Sequence, residues 1–594
     1  MAAEKITDKK LSRRQFMGTA AAGAAAFGVV AGASSLVPRA AASTDAPVAE
    51  ARAAKGALPL RAQPTLPSQW DVVADVVVVG TGVAGFGAAL DAYDAGASVA
   101  IIEKETKFFG GNSMFAGGNW QMPVNFIQAK AGIEDHIEWA IEDYMLNGGY
   151  RNNVNLLHAF CDNANDTLLW AQNLGIVWNP NPSKQADCRV ARTEAPIANS
   201  AYPGNAGISE IYMMNAALNK RGLQVQLGKK LTQIYRPDLT GPVVGIQVLD
   251  LTTGSLLNYK ANKAVVLATG GFKANPQMMQ GFHPLLDEIT SWSGHPYVHT
   301  TGDGHVAAIQ VGAGEVDCSW PVSFSNKWGT SQYEVWTPMP LVGPPSSIPA
   351  LISGGVAYAA SNAYAILVGG DGNRFVNEAL WGSAGTEPGA NDAQVYSTYM
   401  EAYLQIPFRP RNVWAVVDAA GAKSLGWTLA NFQAATAPDQ APYLDPDWIA
   451  WSNTIDGLAD QMAISELGLS AAVARWNGMV SAGTDTDFGR PGPLNPISTP
   501  PYQAAKLLVC GHDQCGGLRV NANMQVIDCQ NYQIAQGSGP SAPLNSEAVI
   551  PHLYAAGEVA GGFWGMARAD GKMGSYCVVG RLAGRNAAAE TPLT

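Results

Sequence analysis

Val76 to Val79 form an unbroken apolar run. That pattern predicts a strand buried on both faces, because a half-exposed strand alternates apolar with polar residues. Gly80, Gly82 and Gly85 follow in G-x-G-x-x-G spacing, and a helix is expected over roughly 83–95. A second apolar run, Ser98-Val-Ala-Ile-Ile-Glu103, predicts a strand that closes on a carboxylate. Ala264–Phe272 reads as another strand running into a turn of small residues, and Ile550–Gly562 belongs with it. Strand, glycines, helix, strand and acid in this order point to a dinucleotide. The first glycine makes the tight turn, the second admits the pyrophosphate, and the third lets helix and strand pack closely. The helix aims its first amides at the phosphates, and Glu103 can accept ribose hydroxyls. Gly80, Gly82, Ala84 and Gly85 are the expected contacts of this loop.

The amino-terminal pattern is different. Arg13 and Arg14 precede Phe16, and the run from Gln15 to Pro38 is free of charge and rich in Ala and Gly. It is poor in Leu, Ile and Phe for a membrane anchor. Ala40 to Ala42 offer small residues to a peptidase. This resembles a twin-arginine export signal. Residues 1–42 are therefore expected to engage the twin-arginine translocase and place the protein across the cytoplasmic membrane. Residues 43–70 read as a flexible lead-in.

Composition narrows the rest. Of 594 residues, 47% are hydrophobic and 14% charged, which suits a large buried core. The net charge of −11, without a basic stripe, excludes a general nucleic-acid binder. Seven cysteines include no C-x-x-C, so zinc ribbons, iron–sulfur runs and c-type haem attachment find no support. His295, His299 and His305 are irregularly spaced and read as local structure, with no metal site expected.

FAD and NAD share the first fingerprint. A second glycine-rich loop, Phe108 to Trp120 ("FFGGNSMFAGGNW"), follows the acid closely. A nicotinamide enzyme does not need it; a flavin enzyme uses such a loop beside the pyrophosphate and ring. With "LATGGF", "TGDG", "DGNRFVNE" and "LYAAGEVAGG", the chain resembles the FAD-binding family of fumarate reductases, the succinate dehydrogenase flavoprotein subunit, urocanate reductases and 3-ketosteroid dehydrogenases, over roughly 71–589. The resemblance implies an α/β fold. A Rossmann-like, bipartite FAD-binding domain (71–319 and 513–594) would carry an inserted α+β capping domain at 320–512. It implies Glu103 as the ribose acid, and Asn112, Ser113, Gly117 and Gly118 as pyrophosphate and flavin contacts. Asp303 and Glu558 would be further FAD contacts, with Gly574 and Ser575 near the ring. The loop lacks the histidine of members with attached flavin, so FAD is expected to be noncovalent.

The resemblance also places Arg568, in "GGFWGMARADGKMGSYCVVGR", where relatives clamp a substrate carboxylate; the "CVVGR" stretch is expected to start a helix. Other parts of the fumarate pattern are replaced. Gly382 stands for a proton-donating arginine and Phe324 for a histidine. "GGVAYAASNAY" replaces a glutamate–arginine relay, while His512 survives beside Asp513. Arg374 reads as structural. Tyr358, Tyr364, Tyr576 and His512 are candidate acids. The expected activity is reduction of an activated C=C bond, in an enoate or enone bulkier and less charged than fumarate. Electrons would come from, or go to, an external haem protein or a quinone-linked partner. The alternatives are a ketosteroid-type dehydrogenase, which Arg568 disfavours, and a flavin-binding protein without turnover.

Overall fold

A computed structural model describes residues 65–184, 188–202, 206–238, 240–286, 299–319, 323–325, 364–379, 398, 400–407, 409–424, 427, 429, 449–506, 508–510, 514–529, 548–565 and 571–593. The segment expected to direct export lies outside them, as does the expected lead-in up to residue 64. Among the described residues no helix is long and apolar enough to cross a membrane.

The chain opens with β1 (Val72–Val79), α1 (Val83–Asp94) and β2 (Val99–Ile102). β1 starts four residues before the apolar run. A register shift between Ala74 and Val76 lets the strand continue past polar Asp75, whose carboxylate accepts hydrogen bonds from the Ser98 amide and hydroxyl. After a 3-10 turn at Gly111–Phe115 come β3 (Trp120–Gln121), α2 (Ile137–Asn147), α3 (Val154–Asn173), β4 (Thr193–Glu194) and α4 (Ala206–Lys220). Then β5 (Val225–Gln226), β6 (Lys229–Tyr235), β7 (Gly245–Asp250), β8 (Leu256–Leu267) and α5 (Asp303–Gln310) follow.

A separate group comprises β9 (Ile366–Val368), β10 (Trp414–Val417), β11 (Ile449–Ser452), α6 (Ile455–Met462), α7 (Glu466–Ala482) and β12 (Tyr502–Lys506). The chain ends with β13 (Gln525–Ile527), β14 (Val549–Ala555) and α8 (Lys572–Ala589).

The main sheet has eight strands, in the order β13-β14-β8-β1-β2-β5, with β7 on β8 and β6 on β7. β14, β8, β1, β2 and β5 run parallel. Their central stretches, Val76–Val79, Ala100–Ile102, Ala264–Leu267 and Leu553–Ala555, are buried on both faces, as parallel strands under helices require. The carboxyl ends of these strands therefore meet at one edge, where open α/β sheets bind ligands. β9-β10-β12-β11 form a second, antiparallel sheet of four. It packs with α6 and α7 around its own core, which includes Trp414 and Trp476. The α/β class is thus observed, with an α+β group set between the two halves of the main sheet. Arg374 is buried in this group, paired with Glu378 at 2.7 Å and Asp485 at 2.9 Å, with its guanidinium over Trp476.

α8 lies along α1. A Cβ on Gly580 would come within 2.2 Å of the Ala84 carbonyl oxygen, and one on Gly584 within 2.2 Å of that of Ala88. Arg581 fixes the crossing by bonding Asp91, Asp166 and Thr167, each at 3.0 Å. The "CVVGR" stretch is thus mid-helix and does not start α8. Gly571, at φ +80°, makes the turn into the helix at Lys572.

Candidate cofactor and active site

The carboxyl ends of β1, β2, β8 and β14 line one cavity together with the 111–119 loop and the start of α8. Two of the motif glycines serve the chain itself. Gly80 has φ +103°, and a Cβ there would sit 2.3 Å from the Ala268 carbonyl oxygen. A Cβ on Gly85 would sit 2.0 Å from the Gly80 carbonyl oxygen, so the helix could not approach the turn.

Gly82 and Gly117 are different. Among the described residues, nothing lies nearer a Gly82 Cβ than the Ser113 hydroxyl at 3.5 Å, and nothing lies within 4 Å of one on Gly117. Neither has the positive φ that would require glycine. Both line the cavity. A side chain at either would cost the protein no packing and would occupy the space a ligand needs. The cradle fits a dinucleotide.

The polar groups agree. α1 has no side-chain cap at Gly82, which leaves its amino end open to the cavity; Ser113 accepts a bond from the Val83 amide at 3.1 Å. Glu103 accepts from the Thr81 hydroxyl, the Thr81 amide at 3.2 Å and the Glu105 amide at 3.1 Å. Burial pushes its carboxyl above the usual range, and these bonds offset part of that. Asn112 Oδ1 and Thr269 Oγ1 are buried on cavity-lining residues and lack partners among the described residues. Buried polar atoms of this kind are ordinarily hydrogen-bonded; a hydroxyl or amide donor of a nucleotide would satisfy Asn112 Oδ1, and a phosphate oxygen would accept from the Thr269 hydroxyl.

Asp303 lines the cavity and pairs with Lys104 at 2.8 Å. Glu558 also lines it, while accepting bonds from the amides of Gly271 at 3.3 Å and Gln514 at 3.0 Å. It ties the β8 turn to the segment after residue 513. Ala84 and Gly118 lie in the lining too. The loop's left-handed turn at Gly118 (φ +79°) presses on α4, with Glu210 Oε1 3.0 Å from a Cβ built there.

Gly85, Gly574 and Ser575 are not among the lining residues. A Cβ on Gly574 would meet Met122 Sδ at 2.7 Å, and Ser575 bonds the Lys572 carbonyl at 2.9 Å. The cavity face of α8 is instead Lys572, Met573 and Tyr576, after Gly571. Tyr576 directs its hydroxyl to the Gln514 carbonyl at 3.5 Å. Half-buried Tyr364 lies outside the lining, against Gly421.

Arg568, Tyr358 and His512 lie outside the described residues. The segment that carries Arg568 is held on both sides. Before it, Phe563 O accepts from Asn152 at 2.7 Å, and Trp564 is buried edge-on against Tyr144 and Phe160. After it, Gly571 O accepts from the Gln121 amide at 2.9 Å. Sequence reasoning missed Thr81, Thr269, Lys104 and Lys572 as lining residues. Lys104 carried the best available signal, since it directly follows Glu103, the expected ribose acid. His299 and His305 pair with Glu105 and Glu315, each at 2.8 Å.

Comparison with known proteins points to the same cofactor. The family described as FAD binding domain matches residues 75–573. The chain is 30% identical over 515 residues to a probable fumarate reductase of Shewanella frigidimarina (strain NCIMB 400), covering 86% of this chain and 74% of that protein. It is 28% identical to the urocanate reductase of Eggerthella lenta, covering 89% and 77%. The open conformation of a flavocytochrome c3 fumarate reductase superposes with a TM-score of 0.63 at 27% identity, covering 88% of this chain and 79% of that one.

Proposed function

This chain belongs to the FAD binding domain family and is an FAD-dependent oxidoreductase acting on carbon–carbon bonds; we propose that it is exported and reduces an activated C=C bond in an enoate or enone bulkier and less charged than fumarate. The observation that carries the substrate reading is the set of replacements in the fumarate sequence pattern, which keeps Arg568. Gly382 and Phe324 stand where the fumarate pattern carries an arginine and a histidine. A dicarboxylate needs a cation or donor at each end, whereas one conjugated carboxylate or carbonyl needs a single anchor.

The Gly80–Gly85 turn, Glu103 and the Asn112–Gly118 loop would hold FAD noncovalently, and the flavin would supply hydride chemistry to the site. Arg568 is assigned the substrate's carboxylate or carbonyl. A planar guanidinium holds a carboxylate by two parallel bonds and draws charge from the carbon that accepts hydride. The neighbouring carbon then needs a proton from a positioned acid. Tyr576, on the cavity wall, fits that role; Tyr358 and His512 are the other candidates. Electrons are assigned to a separate haem protein or quinone-linked donor. The twin-arginine signal, which carries folded and cofactor-loaded proteins, supports loading before export.

The test is anaerobic. Protein purified with FAD is reduced with dithionite and mixed with a panel of aryl enoates, enones and fumarate. Reoxidation by the bulkier enoates or enones, with fumarate slower, is expected. Reoxidation by none of them, or by fumarate fastest, would sink the reading.

A further inference from the structure

α4 begins against the loop that lines the cavity. A Cβ on Gly207 would lie 2.3 Å from the Ser113 carbonyl oxygen and 2.7 Å from that of Ala116. Glycine there lets the helix touch the loop backbone. One turn on, Glu210 adds two contacts. Its Oε2 accepts from the Trp120 indole at 3.1 Å, and its Oε1 lies 3.0 Å from a Cβ built on Gly118. Ser113, Ala116, Gly117, Gly118 and Asn119 all line the cavity. Glu210 is not among the lining residues. α4 thus grips the cavity loop from Ser113 to Trp120, and Glu210 is the one ionisable group in that grip.

Glu210 is 1% exposed, and its Oε1 has no hydrogen-bond partner among the described residues. A buried carboxylate with one donor and one empty oxygen is costly, and a neutral carboxyl far less so. Burial pushes the Glu210 carboxyl well above the usual range, the Trp120 bond offsetting part of that. The groups on the packed elements do not reverse this. Glu194 of β4 is the strand partner of Trp120 and is itself a buried acid. Cys577 of α8 is a thiol that burial pushes up. Asp91 and Asp94 of α1 pair with Arg581 and Arg221. Lys572 of α8, bridged to Trp120 through the backbone, directs Nζ to Cys515 Sγ at 3.1 Å.

We propose that Glu210 works as a neutral acid that positions the cavity loop, so that its proton helps the protein hold FAD. The proposal rests on the reading of the cavity as a flavin site. Glu210 acts through the loop: its bond to the indole fixes Trp120, next in sequence to the lining residue Asn119. Loss of the proton would put a buried negative charge against the loop assigned to an anionic cofactor. Burial and like charge both oppose that.

Two variants and two readouts test it. Glu210→Gln keeps a neutral acceptor for the indole, and Glu210→Leu removes it. FAD release from purified protein is followed by the rise in flavin fluorescence on dilution at neutral pH. Release about tenfold faster is expected in Glu210→Leu, the cost of leaving a buried indole unpaired, with Glu210→Gln near wild type. Equal release from wild type and Glu210→Leu overturns the proposal. So does Glu210→Gln failing as badly as Glu210→Leu, which marks a need for the charge. The second readout is the infrared difference between light-reduced and oxidised protein, and it decides alone if Glu210→Leu does not fold. The carbonyl band of a protonated carboxyl is expected in wild type, shifted in D2O and missing from Glu210→Gln. No such band, or one unchanged in Glu210→Gln, overturns the proposal. Wild-type protein that takes up no FAD sinks the flavin reading itself, which keeps the two failures apart.

Discussion

Gly82 and Gly85 share one motif and carry opposite expectations. Gly82→Ala adds a methyl where the nearest protein atom is 3.5 Å away, and Gly85→Ala drives one to 2.0 Å from the Gly80 carbonyl oxygen. Gly82→Ala is therefore expected to leave the FAD-free protein about as stable as wild type, within roughly 0.5 kcal/mol, and to weaken FAD retention by about tenfold or more. Gly85→Ala is expected to destabilise the protein itself, by on the order of 1–3 kcal/mol. Thermal melts of FAD-free protein and FAD titration separate the two outcomes. The motif was legible because its spacing is local. Its division of labour was not, since the sequence does not say which glycine faces protein and which faces ligand.

Glu194 gives a pH expectation at the same scale. It is fully buried, with Oε1 bonded to Asn125 at 2.8 Å and Oε2 without a partner among the described residues. Burial pushes its carboxyl up to about 7, the Asn125 bond offsetting part of the rise. The unfolded chain releases this proton near 4.5, while the folded chain holds it to about 7. Between those values the folded state binds more protons, so stability falls as pH rises. The contribution is present in full below about 4.5 and gone above about 7. Denaturation series across that window are expected to show a shallower slope for Glu194→Gln than for wild type. An unchanged slope would remove Glu194 as the source.

At the level of elements, α8 couples the fold to the site. Its glycines let it lie on α1, and its first turn lines the cavity. Gly580→Leu forces a side chain into the Ala84 carbonyl and must shift the helix. The expected loss is about 1–3 kcal/mol or more from overpacking, together with weaker FAD retention, because the wall at Lys572 and Tyr576 moves with it. Stability loss with FAD affinity intact would show that α8 does not position the cavity. Here the sequence was misleading for a physical reason. Past its opening turn at Gly571, "GKMGSYCVVGR" offers two more glycines; Gly574 fits Trp120 and Met122, and Gly580 fits α1. Partners far along the chain, and not local pattern, decide which face meets the cavity. β1 was likewise underestimated, because Asp75 interrupts the apolar run while a bulge carries the strand through it.

At the scale of the molecule, the 366–506 group has a core of its own, and the core of the main sheet draws on residues before and after it in the sequence. One sheet gathers strands from both sides of the 366–506 group and leaves their carboxyl ends on a single cavity. The α/β class and the cofactor were readable from repeated glycine blocks whose spacing is set by the nucleotide. The substrate end is less so: the cavity wall takes Tyr576 from a stretch far along the chain, and Arg568 lies outside the described residues. The most direct test of the account is stopped-flow reoxidation of the dithionite-reduced protein, wild type against Arg568→Ala, by an aryl enoate and by fumarate. The account predicts that the enoate reoxidises the wild type faster than fumarate does. It also predicts that Arg568→Ala slows the enoate reaction by about a hundredfold, the cost of losing a charge-assisted anchor. An unchanged enoate rate in Arg568→Ala, or a wild type that prefers fumarate, would contradict it.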